Sequence, residues 1–249
     1  MTWGRAAARL TGLALALGCW EFASRRSSGL AVAPPLETLE ALVRLLERPD
    51  FLAVHLAASL RRTLCGLFLG LAAGLLCGGL AGAWPVFRDV FAPFRWALMS
   101  VPGVVVVMLA MLWLGMGSLM VTVIVALMAA PILYVSVLEG LSAVDSHLLE
   151  MVRVYRFPLS MRVAAVYGRA LAPAVLSGCT VAVGGAMRVV ILAEALGANE
   201  GLGHILAVAR TNLDTAGIYA LALLSMCVVG LVEGLMLGPV RRRLWRWRE

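Results

Sequence analysis

Apolar residues in this chain come in runs long enough to cross a lipid bilayer, divided by short charged breaks. A hydrocarbon core about 30 Å thick takes about 20 such residues as a helix. Residues 1–24 hold "LTGLALALGCW" between Arg5 and Arg9 on one side and Glu21 on the other, which predicts a first helix. Its pattern is also that of a secretory signal peptide, but the polytopic remainder favours a helix that is retained. Residues 57–83 predict a second span. No charge occurs from Trp96 to Leu138, too long for one span and suited to two, with "GMGS" (115–118) as the break and Glu139 ending the fourth. Residues 170–196 predict a fifth span, interrupted by Arg188 and Glu194, and residues 216–238 a sixth, with Glu233 near its end.

The segments between these runs differ in character. In "APPLETLEALVRLLERPDF", Leu36, Leu39, Leu42 and Leu46 share one side, which predicts a short helix at the membrane interface between Pro34–Pro35 and Pro49. "WPVFRDVFAPFRW" (84–96) reads as a short turn, and residues 197–215 as a loop. "LLEMVRVYRFPL" (148–159) has a helical pattern. At 100° per residue Leu148, Met151, Val152, Val154 and Tyr155 fall on one broad arc, with Glu150, Arg153 and Arg156 on the other. Such a helix either lies at lipid headgroups or inserts as a knob into a partner's groove, and pattern alone leaves both open. Within the second span Gly66, Gly70, Gly74, Gly78 and Gly82 recur every fourth residue, a smooth strip that predicts close helix packing.

Composition narrows the class. The chain is 62% hydrophobic and 14% charged, with a mean hydropathy of +0.94. A soluble domain is about half apolar and a quarter charged, so this is an all-α integral membrane protein. The net charge is +7, and all 21 basic residues are arginine. With six spans both termini share a side with residues 84–96 and 141–169, where arginines cluster. The other side has Glu37, Glu40, Glu47 and Asp50 among its arginines. The positive-inside rule then makes both termini cytoplasmic, and the arginines mark loops and headgroups, not a nucleic-acid surface. The absence of lysine excludes a P-loop and a Schiff-base enzyme, so any ATP is bound by another chain. The five cysteines are isolated, the three histidines far apart, and neither shows metal-ligand spacing. The methionines of "MLAMLWLGMGSLM" read as packing residues. Arg188 and Glu194 are candidates for a translocation path, since charges at membrane depth face water or a bundle interior and an arginine suits an anion. An internal ion pair is the competing reading.

Several segments resemble the membrane subunits of binding-protein-dependent ABC importers, in particular the nitrate/sulfonate/taurine branch. "VDSHLLE" (144–150) is similar to the lead-in of the family's cytoplasmic Glu-Ala-Ala motif, with Glu150 at the acidic position and Pro173 and Gly178 at the exit. "HLAASLRRTLCGLFLGLAAGLLCGG", "MSVPGVVVVMLAMLWLGMG" and "LAEALGANEGLGHIL" (192–206) extend the resemblance over most of residues 34–249. Here Met151 and Val152 replace the motif's alanines, Arg156 its glycine and Arg169 a proline, while Pro158 supplies a break two residues after Arg156.

The resemblance implies a six-span subunit with no catalytic residue or cofactor of its own, ATP and Mg being held by a partner ATPase. It divides the chain into an N-terminal span with an interfacial segment (1–56) and a permease core (57–249). Residues 145–158 become a cytoplasmic coupling helix between spans four and five, with Asp145, Leu149, Glu150, Val152, Arg153, Tyr155 and Arg156 facing the ATPase. The other implied partners are a solute-binding protein, a second permease copy and the lipid of a bacterial inner membrane. The implied cargo is a small anionic or polar solute. A secondary transporter and a permease-derived scaffold are the competing readings. The first lacks an internal repeat; the second is kept by the altered coupling segment.

Overall fold

The computed structural model describes residues 2–27, 31–155, 157–158, 161 and 167–245; no strand occurs among them. The helices are α1 (Thr2–Arg26), α2 (Pro35–Glu47), α3 (Ala57–Ala83, entered through a π-type turn at Phe51–Leu56), α4 (Pro85–Ser100) and α5 (Gly103–Leu114). They continue as α6 (Ser118–Ser142), α7 (Ser146–Val154), α8 (Gly168–Gly197), α9 (Leu202–Thr211) and α10 (Thr215–Trp245).

Four helical stretches among the described residues are long and apolar enough to span a membrane: Phe51–Ala83, Ser118–Ser142, Ala170–Gly197 and Thr215–Met236. A fifth crossing is the broken pair α4–α5, bent by 106°. The packing of α3 on α6 fixes its course. Gly66 meets Val125, Gly70 meets Ala129, Gly74 meets Leu133 and Gly78 meets Val137, so contacts advance in the same direction on both helices. Two parallel neighbours need a return crossing between them, and only α4–α5 lies there. The break falls at Val101–Pro102. Val101 is extended (ψ 129°), as a residue before proline prefers, and α5 starts afresh at Gly103. The stretch 84–96, expected as a turn, is therefore most of a helix. Its arginines and aspartate line an amphipathic helix with no buried residue. Likewise residues 202–211, expected within a loop, form α9.

"GMGS" divides α5 from α6 as its glycines require. Gly115 and Gly117 have φ of 70° and 135°, conformations closed to most side chains. Gly117 N–H then donates to Gly197 O (2.9 Å), joining the start of α6 to the end of α8. Helix α8 runs antiparallel to α6, since Gly140 sits on Leu171 and Ala174 at one end and Gly197 on Met120 at the other. The main core lies between α3, α5, α6 and α8, around Leu67, Val107, Val121, Ile124 and Val190. A second cluster joins α2, α8, α9 and α10 through Leu45, Phe51, Met187, Leu202 and Leu221.

The N-terminal part is attached at that same end. Trp20 Nε1 donates to Ala33 O (3.0 Å) and its ring stacks on Tyr219 (5.7 Å), beside the start of α10. Helix α1, about 37 Å long, otherwise exposes Leu10, Leu13, Leu15 and Phe22. In α2, Thr38, Ala41 and Leu45 are buried, whereas Leu36, Leu39 and Leu46 stay exposed, the ridge an interfacial helix offers to lipid.

Candidate functional site

The most polar buried point lies where α3, α6, α8 and α9 meet. Arg62 is 2% exposed and Glu194 not at all. Arg62 Nη1 donates to Glu194 Oε1 (2.7 Å) and to the carbonyl of Glu200 (2.7 Å). Nη2 donates to Glu200 Oε1 (2.9 Å) and Ser118 Oγ (2.7 Å), and Nε reaches the same hydroxyl (3.1 Å). The other carboxylate oxygen of Glu194 accepts from Ser59 Oγ (2.7 Å) and Gly203 N–H (3.1 Å). Ser59 Oγ in turn accepts from Leu202 N–H (2.8 Å). Among the described residues no buried side-chain nitrogen or oxygen lacks a partner. A buried pair repays its desolvation only under such conditions.

The loop before α9 is shaped around this pair. Gly201 has φ of 114°, a region favouring glycine, and a Cβ there would overlap the Glu194 carboxylate. At Gly203 a Cβ would strike the carbonyl of Ile191 and the Glu194 side chain. The amide of Gly201 donates to His55 Nδ1 (3.2 Å), so the neutral ring carries its proton on Nε2, and the ring lies parallel to that of His204 (6.3 Å). Gly201→Ala is therefore expected to destabilise the purified protein by roughly 1–3 kcal/mol from backbone strain alone, read as a lowered apparent Tm. Gly230→Ala, with nothing within 4 Å of the added carbon, is the control and should leave Tm unchanged.

Glu194, a sequence candidate for a translocation path, is thus enclosed and turned towards Arg62. Arg188, its companion candidate six residues earlier, is exposed and forms no ion pair among the described residues. It borders a cleft of about 510 Å³ between α8, α9 and α10. The two charges are not brought together. Arg62 gave one signal that the sequence reading passed over. Arg62 lies within an apolar membrane-length stretch, Phe51–Ala83, and a charge in such a stretch calls for a partner inside the bundle.

The glycine strip lies along α6. A Cβ on Gly66 would approach Val125 Cβ to 2.6 Å, one on Gly70 the carbonyl of Ala126 to 2.6 Å, and one on Gly74 the carbonyl of Ala130 to 2.5 Å. Gly78 meets Val137 and Tyr134, and Gly82 meets Leu141.

At the opposite end of the bundle α7 forms a short separate helix. Asp145 Oδ1 accepts from His147 N–H (2.9 Å), so this residue caps the helix. Val152 is buried and Glu150 exposed. Val154 and Tyr155 are 77% and 71% exposed, with Leu148 and Met151 also open. The apolar arc thus divides, with Val152 buried and the other four residues exposed. Arg156 lies outside the described residues, as do the side chains of Leu149 and Arg153.

Parallel and antiparallel apolar helices of membrane-spanning length and a broken span define a multi-pass α-helical membrane protein. The family model for the binding-protein-dependent transport system inner membrane component matches residues 66–246, and the chain belongs to that family. A Brucella abortus protein named as an ABC transporter permease is 30% identical over 97% of this chain and 98% of its own. A Bacillus subtilis protein named for transport of aliphatic sulfonates is 29% identical over 78% of this chain and 70% of its own. The taurine transport system permease of Escherichia coli is 26% identical over 88% and 81%. In fold the chain is similar to a subunit of the methionine ABC transporter MetNI in an inward-facing conformation. The TM-score is 0.62 at 19% identity, covering 82% of this chain and 96% of that one.

Proposed function

We infer that this permease is the translocation subunit of an ATP-driven importer for small organic anions of the sulfonate type, coupled to a separate ATPase through α7. The carrying observation is the capped helix α7, which leaves Leu148, Met151, Val154 and Tyr155 uncovered at one end of the bundle. An exposed apolar knob with Glu150 beside it suits insertion into a groove on a soluble partner. The names of the sulfonate and taurine relatives supply the solute class. In this reading α1 is a sixth span, both termini and α7 lie on the cytoplasmic side of the inner membrane, and a solute-binding protein docks at the end holding α2 and α9. ATP and Mg sit on the ATPase, and a second permease copy closes the path. The tight α3–α6 seam and the Arg62 clamp make the helices above α7 one lever, suited to rigid-body alternation driven from the ATPase.

The test is co-purification of the tagged chain with a co-expressed ATP-binding subunit from its source cell. Val154→Asp with Tyr155→Asp should leave a folded, monodisperse permease and reduce the retained ATPase at least tenfold, and Glu150→Ala with Arg153→Ala should weaken it. Retention of the ATPase at wild-type level by the double aspartate variant would sink the coupling role.

A further inference from the structure

Resting on the importer reading, we propose that Arg188 and the cleft beside it form an anion subsite of the translocation path. The guanidinium would hold the acidic group of an organic anion, whose short apolar body would lie against Ile191, Leu206 and Leu221.

The depth of Arg188 carries the first part of the argument. It stands nine residues before the end of α8 at Gly197, about 13 Å inside that end. Its neighbours Met187, Val189 and Val190 are apolar. A guanidinium keeps its charge under any attainable condition, and one facing hydrocarbon is costly on every scale. Arg188 is nevertheless exposed, and Glu194, its nearest acid along α8, is occupied by Arg62. The exposed face therefore meets water or an anion, not lipid tails.

The cleft then selects the anion. Its lining comes from α8, α9 and α10, and among the described residues Arg188 is the single charged one in it, with Ser225 the other polar side chain. Its volume of about 510 Å³ falls in the range of small-molecule sites. A bare inorganic ion would leave the apolar walls wet, and a neutral apolar molecule would leave the guanidinium unpaired. An organic anion satisfies both. A lipid headgroup does not reach this depth. The acids within α6 and α10 do not lie at this level either. Glu139 and Glu233 stand 21 and 18 residues into α6 and α10 from the Arg62 end, about 31 and 27 Å.

The test uses the complete transporter, reconstituted with its binding protein in liposomes of neutral lipid, and follows ATP-driven uptake of ethanesulfonate and pentanesulfonate. Arg188→Gln should lower uptake of both at least tenfold while the purified complex stays assembled and monodisperse, and Arg188→Lys should recover part of it. Ala222→Phe, which fills the cleft and spares the charge, should depress pentanesulfonate uptake severalfold more than ethanesulfonate. Equal uptake by wild type and Arg188→Gln overturns the subsite. So does a loss that appears only when anionic lipid is added, which would make Arg188 a lipid contact. A wild-type complex that hydrolyses ATP but transports neither solute overturns the importer reading, and the subsite with it.

Discussion

Arg62→Met should leave almost no folded permease after detergent extraction, whereas Arg62→Met combined with Glu194→Met should recover a clear monodisperse fraction. The single change keeps the Glu194 carboxylate fully enclosed and removes its cation, and breaking a buried pair from one side costs about 3–5 kcal/mol. Folded proteins hold only about 5–15 kcal/mol in total. Ser118 and the carbonyl of Glu200 lose donors in the same step. In the double variant this buried ion pair is gone from both sides, and the residual penalty comes from groups left without partners: the Gly203 amide and Ser59 hydroxyl that served Glu194, and the Ser118 hydroxyl and Glu200 carbonyl that served Arg62, each about 1–3 kcal/mol at most. Glu194→Gln should fall between, because Arg62 retains Glu200 (2.9 Å) as a counter-ion. Fluorescence-detected size exclusion before and after a heat step reads all three. Arg62→Met extracting and surviving heat as wild type does would show that the network is not what holds the ends of α3, α6, α8 and α9 together.

The ranking of these variants follows from contacts that no local pattern in the chain announces. Arg62 and Glu194 are 132 residues apart, and sequence periodicity reports only which face of one helix is apolar. What was legible were the features that are local. The length of the apolar runs placed α3, α6, α8 and α10, and the two glycines of "GMGS" placed the break before α6. The four-residue glycine period marked the face of α3 that meets α6. The stretch 84–96 was misread because charges every few residues look like a turn, although they fit the open side of a helix pinned by Phe87 and Phe91, the latter against Tyr134 (5.2 Å). Helix α9 was missed for a related reason: the glycines before it look like loop residues, and their purpose, room for the Glu194 carboxylate, exists only once α8 and α9 are packed.

The glycine seam predicts the other large effect. Gly74→Val should abolish the folded protein, and Gly74→Ala should already lower its apparent Tm strongly, while Gly79→Ala should change little. At Gly74 the atoms in the way are backbone: the carbonyl of Ala130 at 2.5 Å and the amide of Tyr134 at 3.2 Å, beside Leu133 Cβ at 2.8 Å. Side chains can rotate away from an added methyl, but a helix backbone moves only as a body. Separating α3 from α6 at one contact loosens the neighbouring glycine contacts as well. Overpacking costs about 1–3 kcal/mol where side chains can adjust, and here the adjustment would open the longest packed seam of the bundle. Lipid offers no hydrophobic pressure to close it again, since tails solvate a parted helix face as well as its partner does. Gly79 sits one residue past the strip with nothing within 4 Å of an added carbon, so the same methyl there meets lipid alone. Should Gly74→Ala and Gly79→Ala melt together, α3 and α6 would have to be held apart in the membrane, and the four-residue glycine period would lose its structural meaning.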